Sequence, residues 1–268
     1  WSSDVCSSDL TTNTLQSLSK NWNISNPMNA HFSPDGKMIT FMGINPETKT
    51  WDVYLYHLEN QINPSNLTAH FGHTNDEDPK FSFGGNKIIF KSDGIVSIID
   101  TSGELLEKFE LNCKNASMPY FLKGDSEILY SPKEVSGITS DVCIYNLNNK
   151  TQKKASNIKG LEEYYPITRD DTSFYFSRWT DQKDHHDQLW MGFLNGSNPV
   201  CLPFNKKGFD CSDACTINDE FVLFSKTNFK GDYDLCVSSV FSKQIWSLSE
   251  YYKFLNTAKN ELGASYHK

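Results

Sequence analysis

No run of lysine and arginine occurs anywhere in these 268 residues, and acidic side chains outnumber basic ones, 33 to 25, for a net charge of −8. A polyanion-binding surface needs clustered cations to displace condensed counterions, so nucleic acid and anionic membranes are excluded as main partners. No apolar stretch reaches the roughly 18 residues that a membrane-spanning helix needs. The seven cysteines contain no CxxC pair, which removes the common zinc patterns and a dense disulfide framework; only Cys211 and Cys215, spaced CxxxC, leave a local disulfide open. No GxSxG occurs, and with it goes the nucleophile elbow of an α/β-hydrolase. Helical periodicity is also missing, "SEYYKFLNTAKNEL" at 249–262 offering a turn or two at most.

The first ten residues, "WSSDVCSSDL", resemble a translated sequencing adapter and are set apart from fold reasoning. Without Asp4, Cys6 and Asp9 the chain keeps six cysteines and a net charge of −6. A signal peptide is expected to have preceded them and been lost with the true N-terminus. The remaining residues, 11–268, read as one domain, and aromatics at 13% supply a core.

What the chain does have is a repeat. Six phrases echo one another: "NPMNAHFSPDG", "DEDPKFSFGG", "ASMPYFLKGD", "EYYPITRDD", "CSDACTIND" and "ELGASYHK". Anchored on Pro27, Pro79, Pro119, Pro166, Ala214 and Ala264, they are spaced 52, 40, 47, 48 and 50 residues apart. Each of the first five is followed by two β-rich runs, such as "MITFMG" then "DVYLYHL", and by a short fourth segment. Four short antiparallel strands repeated radially describe a β-propeller. The blades are expected near 25–70, 74–112, 116–158, 162–205 and 210–250. A sixth, incomplete blade is expected from 11–21 plus 260–268, closing the ring by pairing the chain ends and hiding their edges.

"FSPDGKMITF" (32–41) followed by "DVYLYHLEN" (52–60) resembles the repeat of TolB-type, WD-like propellers. In Pro34-Asp35-Gly36, proline presets φ, Asp35 can cap its own backbone and Gly36 accepts a positive φ, with Phe32 and Phe41 packing between blades. "KGDYDLCVSS" (230–239) is similar to a segment of propellers from outer-membrane-associated proteins of Bacteroidetes. The resemblance implies a periplasmic, secreted or outer-membrane-associated monomer serving as a platform for a protein or a glycan. The same fold also hosts lyases, so it does not select a function.

Loops between second and third strands should share one face with the segments between blades. That places "RWTDQKDHHD" (178–187) beside 70–78, 161–165 and 209–213. Trp179, Tyr164 and Tyr165 are candidates for stacking on a sugar ring, with Asp181, Asp184, Asp76, Asp78, Asp210 and Asp213 accepting hydroxyl hydrogen bonds. No cofactor is expected; a divalent cation held by His185 with His70 or His73 is the alternative. A lyase acting on uronic-acid polysaccharides would need a base and a cation, for which His185, His186, Tyr165 and Arg178 are candidates, with Arg169 a second cation. Cys143 and Cys236 read as core thiols. The aspartates opening third strands, Asp52, Asp141, Asp187 and Asp234, read as caps for loop amides.

Overall fold

The computed structural model describes all residues except 1–5, 10, 11, 13, 60–62, 110, 112–115, 133–139, 157–160, 181, 182, 184, 185, 228–231 and 257–260. Alternation of apolar and polar positions, broken by turn residues, produces five four-stranded antiparallel meanders. The first holds Ser25–Phe32, Met38–Ile44, Trp51–His57 and Ser65–Asn66; the second Asp76–Phe81, Lys87–Ser92, Ile95–Asp100 and Leu105–Phe109. Ala116–Phe121, Glu127–Pro132, Cys143–Asn146 and Thr151–Lys154 make the third. The fourth comprises Glu163–Thr168, Ser173–Trp179, Asp187–Phe193 and Val200–Cys201; the fifth Cys211–Thr216, Phe221–Thr227, Tyr233–Ser239 and Trp246–Ser247. First strands of neighbouring meanders contact one another, so each meander is a blade with its first strand at the centre.

Among the described residues the blades number five, not the six expected. Residues 14–17 pair with Cys6–Asp9 in a two-stranded ribbon instead of joining a blade. Residues 261–268 adopt no strand, since no described strand runs along their hydrogen-bonding edge. They nevertheless cross from the fifth blade to the first. Glu261 N donates to Tyr233 O at 2.8 Å and the Ser225 hydroxyl to Glu261 O at 2.9 Å; at the far end Phe32 N donates to Ser265 Oγ at 3.2 Å and the His267 ring meets Pro34 O at 3.1 Å. On the flank of the first blade, Leu18, Trp22 and Ile24 cover Ile39, Phe41, Tyr54 and Tyr56, with Trp22 stacked on Phe41 at 4.7 Å.

Between blades the apolar faces interlock: Val53 and Leu55 with Phe81 and Phe90, Ile89 and Val96 with Phe121 and Tyr130, Leu129 and Ile144 with Phe174 and Phe176, and Tyr175 and Leu189 with Val222 and Phe224. The turn after the first strand forms as its sequence dictates. Asp35 Oδ1 accepts the Ser33 hydroxyl and Lys37 N, and Gly36 sits at φ 68°.

A bulge recurs in every central strand. At each, one residue takes a left-handed conformation: Asn29, Asp78, Met118, Tyr165 and Asp213, with φ between 51° and 58°. Gly263, at φ 69°, repeats it in the C-terminal segment. Proline or alanine follows every one of these six, which shows that the structural counterpart of Pro79 in the first unit is Ala30 and not Pro27.

Candidate ligand face and central channel

Three contacts tie the starts of third strands to the next inter-blade segment. Trp51 N donates to Asn75 Oδ1 at 3.3 Å, Ser140 N to Glu162 Oε2 at 3.2 Å and Asp187 N to Asp210 Oδ1 at 2.8 Å. These loops therefore lie on one face. On it, between the fourth and fifth blades, the Tyr164 hydroxyl donates to Asp187 Oδ2 at 2.5 Å and the Tyr233 hydroxyl to Asp210 Oδ2 at 2.7 Å. All four side chains stay half-buried. Burial pushes the Asp187 carboxyl up to about 7, Asp210 and Asp213 adding to the rise and the Tyr164 hydrogen bond opposing it. The expected backbone-capping role of the third-strand aspartates takes a different form here. Asp52 accepts the side-chain amides of Asn45 and Asn66, each at 2.6 Å, and Asp141 pairs with Lys154.

Asp181, Asp184 and His185 lie outside the described residues. The neck of their loop is closed by Thr180, whose N and Oγ1 both donate to His186 O at 2.8 and 2.9 Å. Trp179, opposite Asp187 in the ladder, is half-buried at the rim. Asp76 is fully buried, its carboxyl raised to about 6 by that burial. His70 and His73 are exposed, His70 lying edge-on to Phe71 at 4.5 Å. Among the described residues no three His, Cys, Asp or Glu side chains converge as metal ligands.

Arg178 is not on the loop. It is 1% exposed within the second strand of the fourth blade, its Nε 2.7 Å from Glu163 Oε1 and its guanidinium 3.9 Å from the Trp190 ring centroid. Tyr165 is elsewhere, on the central strand, so the cation and the phenol proposed for uronate chemistry are not brought together. Arg169, the other arginine, pairs with Asp170 and reaches the carbonyl of Asp219.

The bulges instead gather a set of polar groups around the axis. Tyr165, Asp78 and Asp213 come from three blades; the charges of Asp213 and Asp78 act on Tyr165, and that of Asp78 acts on Asp213. Two positions beyond the left-handed residue stand His31, Lys80 and Tyr120, none of them a sequence candidate, and Cys215, which the sequence marked only for a disulfide. His31 Nδ1 accepts Phe81 N at 3.2 Å, so its proton sits on Nε2 and is donated to the Tyr120 oxygen at 3.0 Å. Burial, with Lys80 nearby, holds the imidazole down to about 3, hence neutral. Lys80 is 8% exposed; burial lowers its pKa while Asp78 and Asp213 oppose the fall. Burial likewise raises the carboxyl of Asp213. The signal was available as a column one residue past each anchor, hidden in the first unit by the Pro27 register.

Solved structures share the fold. A TolB from Acinetobacter baumannii superposes with a TM-score of 0.75 at 13% identity, covering 98% of this chain and 62% of that one. Its structural neighbours are TolB-like β-propellers. A TolB candidate from Agrobacterium tumefaciens gives a TM-score of 0.70 at 12% identity over 90% of this chain and 86% of that one. An oligogalacturonate lyase in complex with manganese gives 0.58 at 15% identity, over 81% and 63%. At these identities the likeness is one of fold. No protein-family model and no curated protein matches the chain. No helix among the described residues is long and apolar enough to cross a membrane.

Proposed function

We propose that this TolB-like propeller is a binding module that takes a protein or a glycan on the face carrying its inter-blade segments, in an exported, periplasmic or outer-membrane-associated setting. The observation that carries the reading is the pair of Tyr–Asp hydrogen bonds, Tyr164–Asp187 and Tyr233–Asp210, locked together by Asp187 N on Asp210. Aromatic rings and carboxylates fixed before a ligand arrives lower the ordering penalty of binding. Trp179 at the rim offers a flat apolar surface beside them. Asp181 and Asp184, outside the described residues, are proposed as further acceptors for the same ligand.

Titration of neutral and uronate oligosaccharides against the chain, with tryptophan fluorescence and calorimetry, tests the glycan arm; immobilised chain exposed to soluble proteins of the same source tests the other. A ligand retained by the native chain and lost, about tenfold or more, on Trp179→Ala or Asp210→Asn supports the module. Equal retention by both variants refutes this face. Release of unsaturated uronate products, followed by ultraviolet absorbance, would favour the lyase reading. That reading needs a different cation from Arg178, which Glu163 occupies.

A further inference from the structure

We propose that the central channel is a separate binding site for a small dipolar molecule carrying both an ammonium and a carboxylate, the chemistry of a free α-amino acid or a short peptide. Lys80 is the decisive residue. More than nine-tenths of it is buried, yet among the described residues no carboxylate oxygen comes within 4.0 Å of its Nζ and it makes no hydrogen bond. The opposite charges acting on it are those of Asp78, on its own strand, and Asp213, from across the axis. An ammonium enclosed by protein with no ion partner in contact gains a charge-assisted hydrogen bond from an anionic group placed against it.

The carboxylates are the complementary groups. Asp78 Oδ1 accepts Asn29 Nδ2 at 2.8 Å and Asp213 Oδ2 accepts the Ser212 hydroxyl at 3.1 Å; among the described residues neither second oxygen takes a hydrogen bond. Two phenols complete the ring. Because the His31 imidazole donates to the Tyr120 oxygen, the Tyr120 proton is free to point at a third group, and the Tyr165 hydroxyl makes no hydrogen bond among the described residues. The channel thus presents three donors, Lys80, Tyr120 and Tyr165, and two open acceptors, Asp78 and Asp213. A simple anion would satisfy Lys80 but lie against two carboxylates, and a simple amine would do the reverse. A molecule with both charges a few bonds apart satisfies both sets, and like-charge contact is what rejects each half alone.

The inference concerns the channel and holds whether or not the outer face binds. The test uses the unmutated chain first: calorimetric titration with glycine, L-alanine and glycylglycine, against N-acetylglycine and glycine methyl ester, which each lack one of the two charges. Saturable binding is expected on the order of millimolar or tighter, the range open to a ligand of about five to nine heavy atoms. Each blocked analogue should bind at least about tenfold more weakly. Lys80→Met should abolish binding and Asp213→Asn weaken it about tenfold, with circular dichroism showing that each variant keeps its strands. Trp179→Ala should leave it unchanged, which separates this site from the face. Three outcomes overturn the proposal: N-acetylglycine binding as well as glycine, the ester binding as well as glycine, or no saturation by any of the five at about 100 mM.

Discussion

Replacing Arg178 by methionine should cripple the fold and leave the loop face in place. The guanidinium and the Glu163 carboxylate are 1% and 0% exposed, and the Ser156 hydroxyl completes the carboxylate's second oxygen. Removing one partner strands the other in a dry interior, which costs about 3–5 kcal/mol. Loss of the cation over the Trp190 and Phe176 rings, at 3.9 and 5.2 Å, adds about 1 kcal/mol or more. Against a total stability of about 5–15 kcal/mol, that is a third to most of the margin. For a chain of this size it lowers the melting midpoint by about 10 °C or more.

The double variant Arg178→Met/Glu163→Leu removes both charges and should recover most of the loss, so the cycle isolates the pair. Glu163 is already held above the usual carboxylate range by burial, with Ser156 and Arg178 opposing. Without Arg178 it rises further, so the folded single variant binds a proton that its unfolded state releases. Stability of that variant then falls as pH rises, and its deficit is larger at pH 8 than at pH 5. Urea unfolding followed by both circular dichroism and tryptophan fluorescence reads these quantities. A loss below about 1 kcal/mol, independent of pH, would show a solvated arginine and sink the argument.

Burial pushes the Asp187 carboxyl from an ordinary 3.8 up to about 7, so the folded state holds a proton through that window and stability declines as pH rises from about 4 to 7. The ceiling is about 4 kcal/mol, less for a half-buried group; Asp187→Asn should flatten the slope of a urea-derived pH profile, and an unchanged slope refutes the assignment. Burial raises the thiols of Cys211, Cys236 and Cys215 to about 12, 12 and 11, and Cys211 and Cys215 are free rather than bridged. Mass-mapped alkylation at neutral pH should therefore miss all three until urea unfolds the chain, and native labelling of Cys215 would contradict the channel wall described. Gly192 lies opposite Phe174, whose ring would stand 2.2 Å from an added Cβ, so Gly192→Ala should cost about 1–3 kcal/mol in the same unfolding assay; a neutral result would mean the ring moves freely.

The blades were legible because strand, turn and strand recur with the same phase, and the Pro34–Gly36 turn carries its own chemistry. The sixth was over-read. "ELGASYHK" has the repeat's bulge residue, but a strand needs a partner on its hydrogen-bonding edge, and sequence similarity does not supply one. Arg178 was misread for a related reason. Beside "WTDQKDHHD" it looks like a loop cation, whereas its partner Glu163 stands fifteen positions earlier, directly opposite in the ladder. Pairing across strands decides its environment, and local composition is silent on that.

The channel was hidden by the bulge itself. An extra residue shifts the period-2 alternation, so groups that read as facing one way along the strand face the other beyond it. Asparagine and aspartate adopt the left-handed conformation at modest cost, and Gly263 at none; Met118 and Tyr165 are poorly suited to it, each costing about 1 kcal/mol or more. Easier residues serve at the other four positions of the same column, so closing the ring does not require a bulky side chain there. What Tyr165 brings at its position is a phenol on the central strand that feels the charges of Asp213 and Asp78. The strain at Tyr165 therefore points to the channel's contents rather than to the blades.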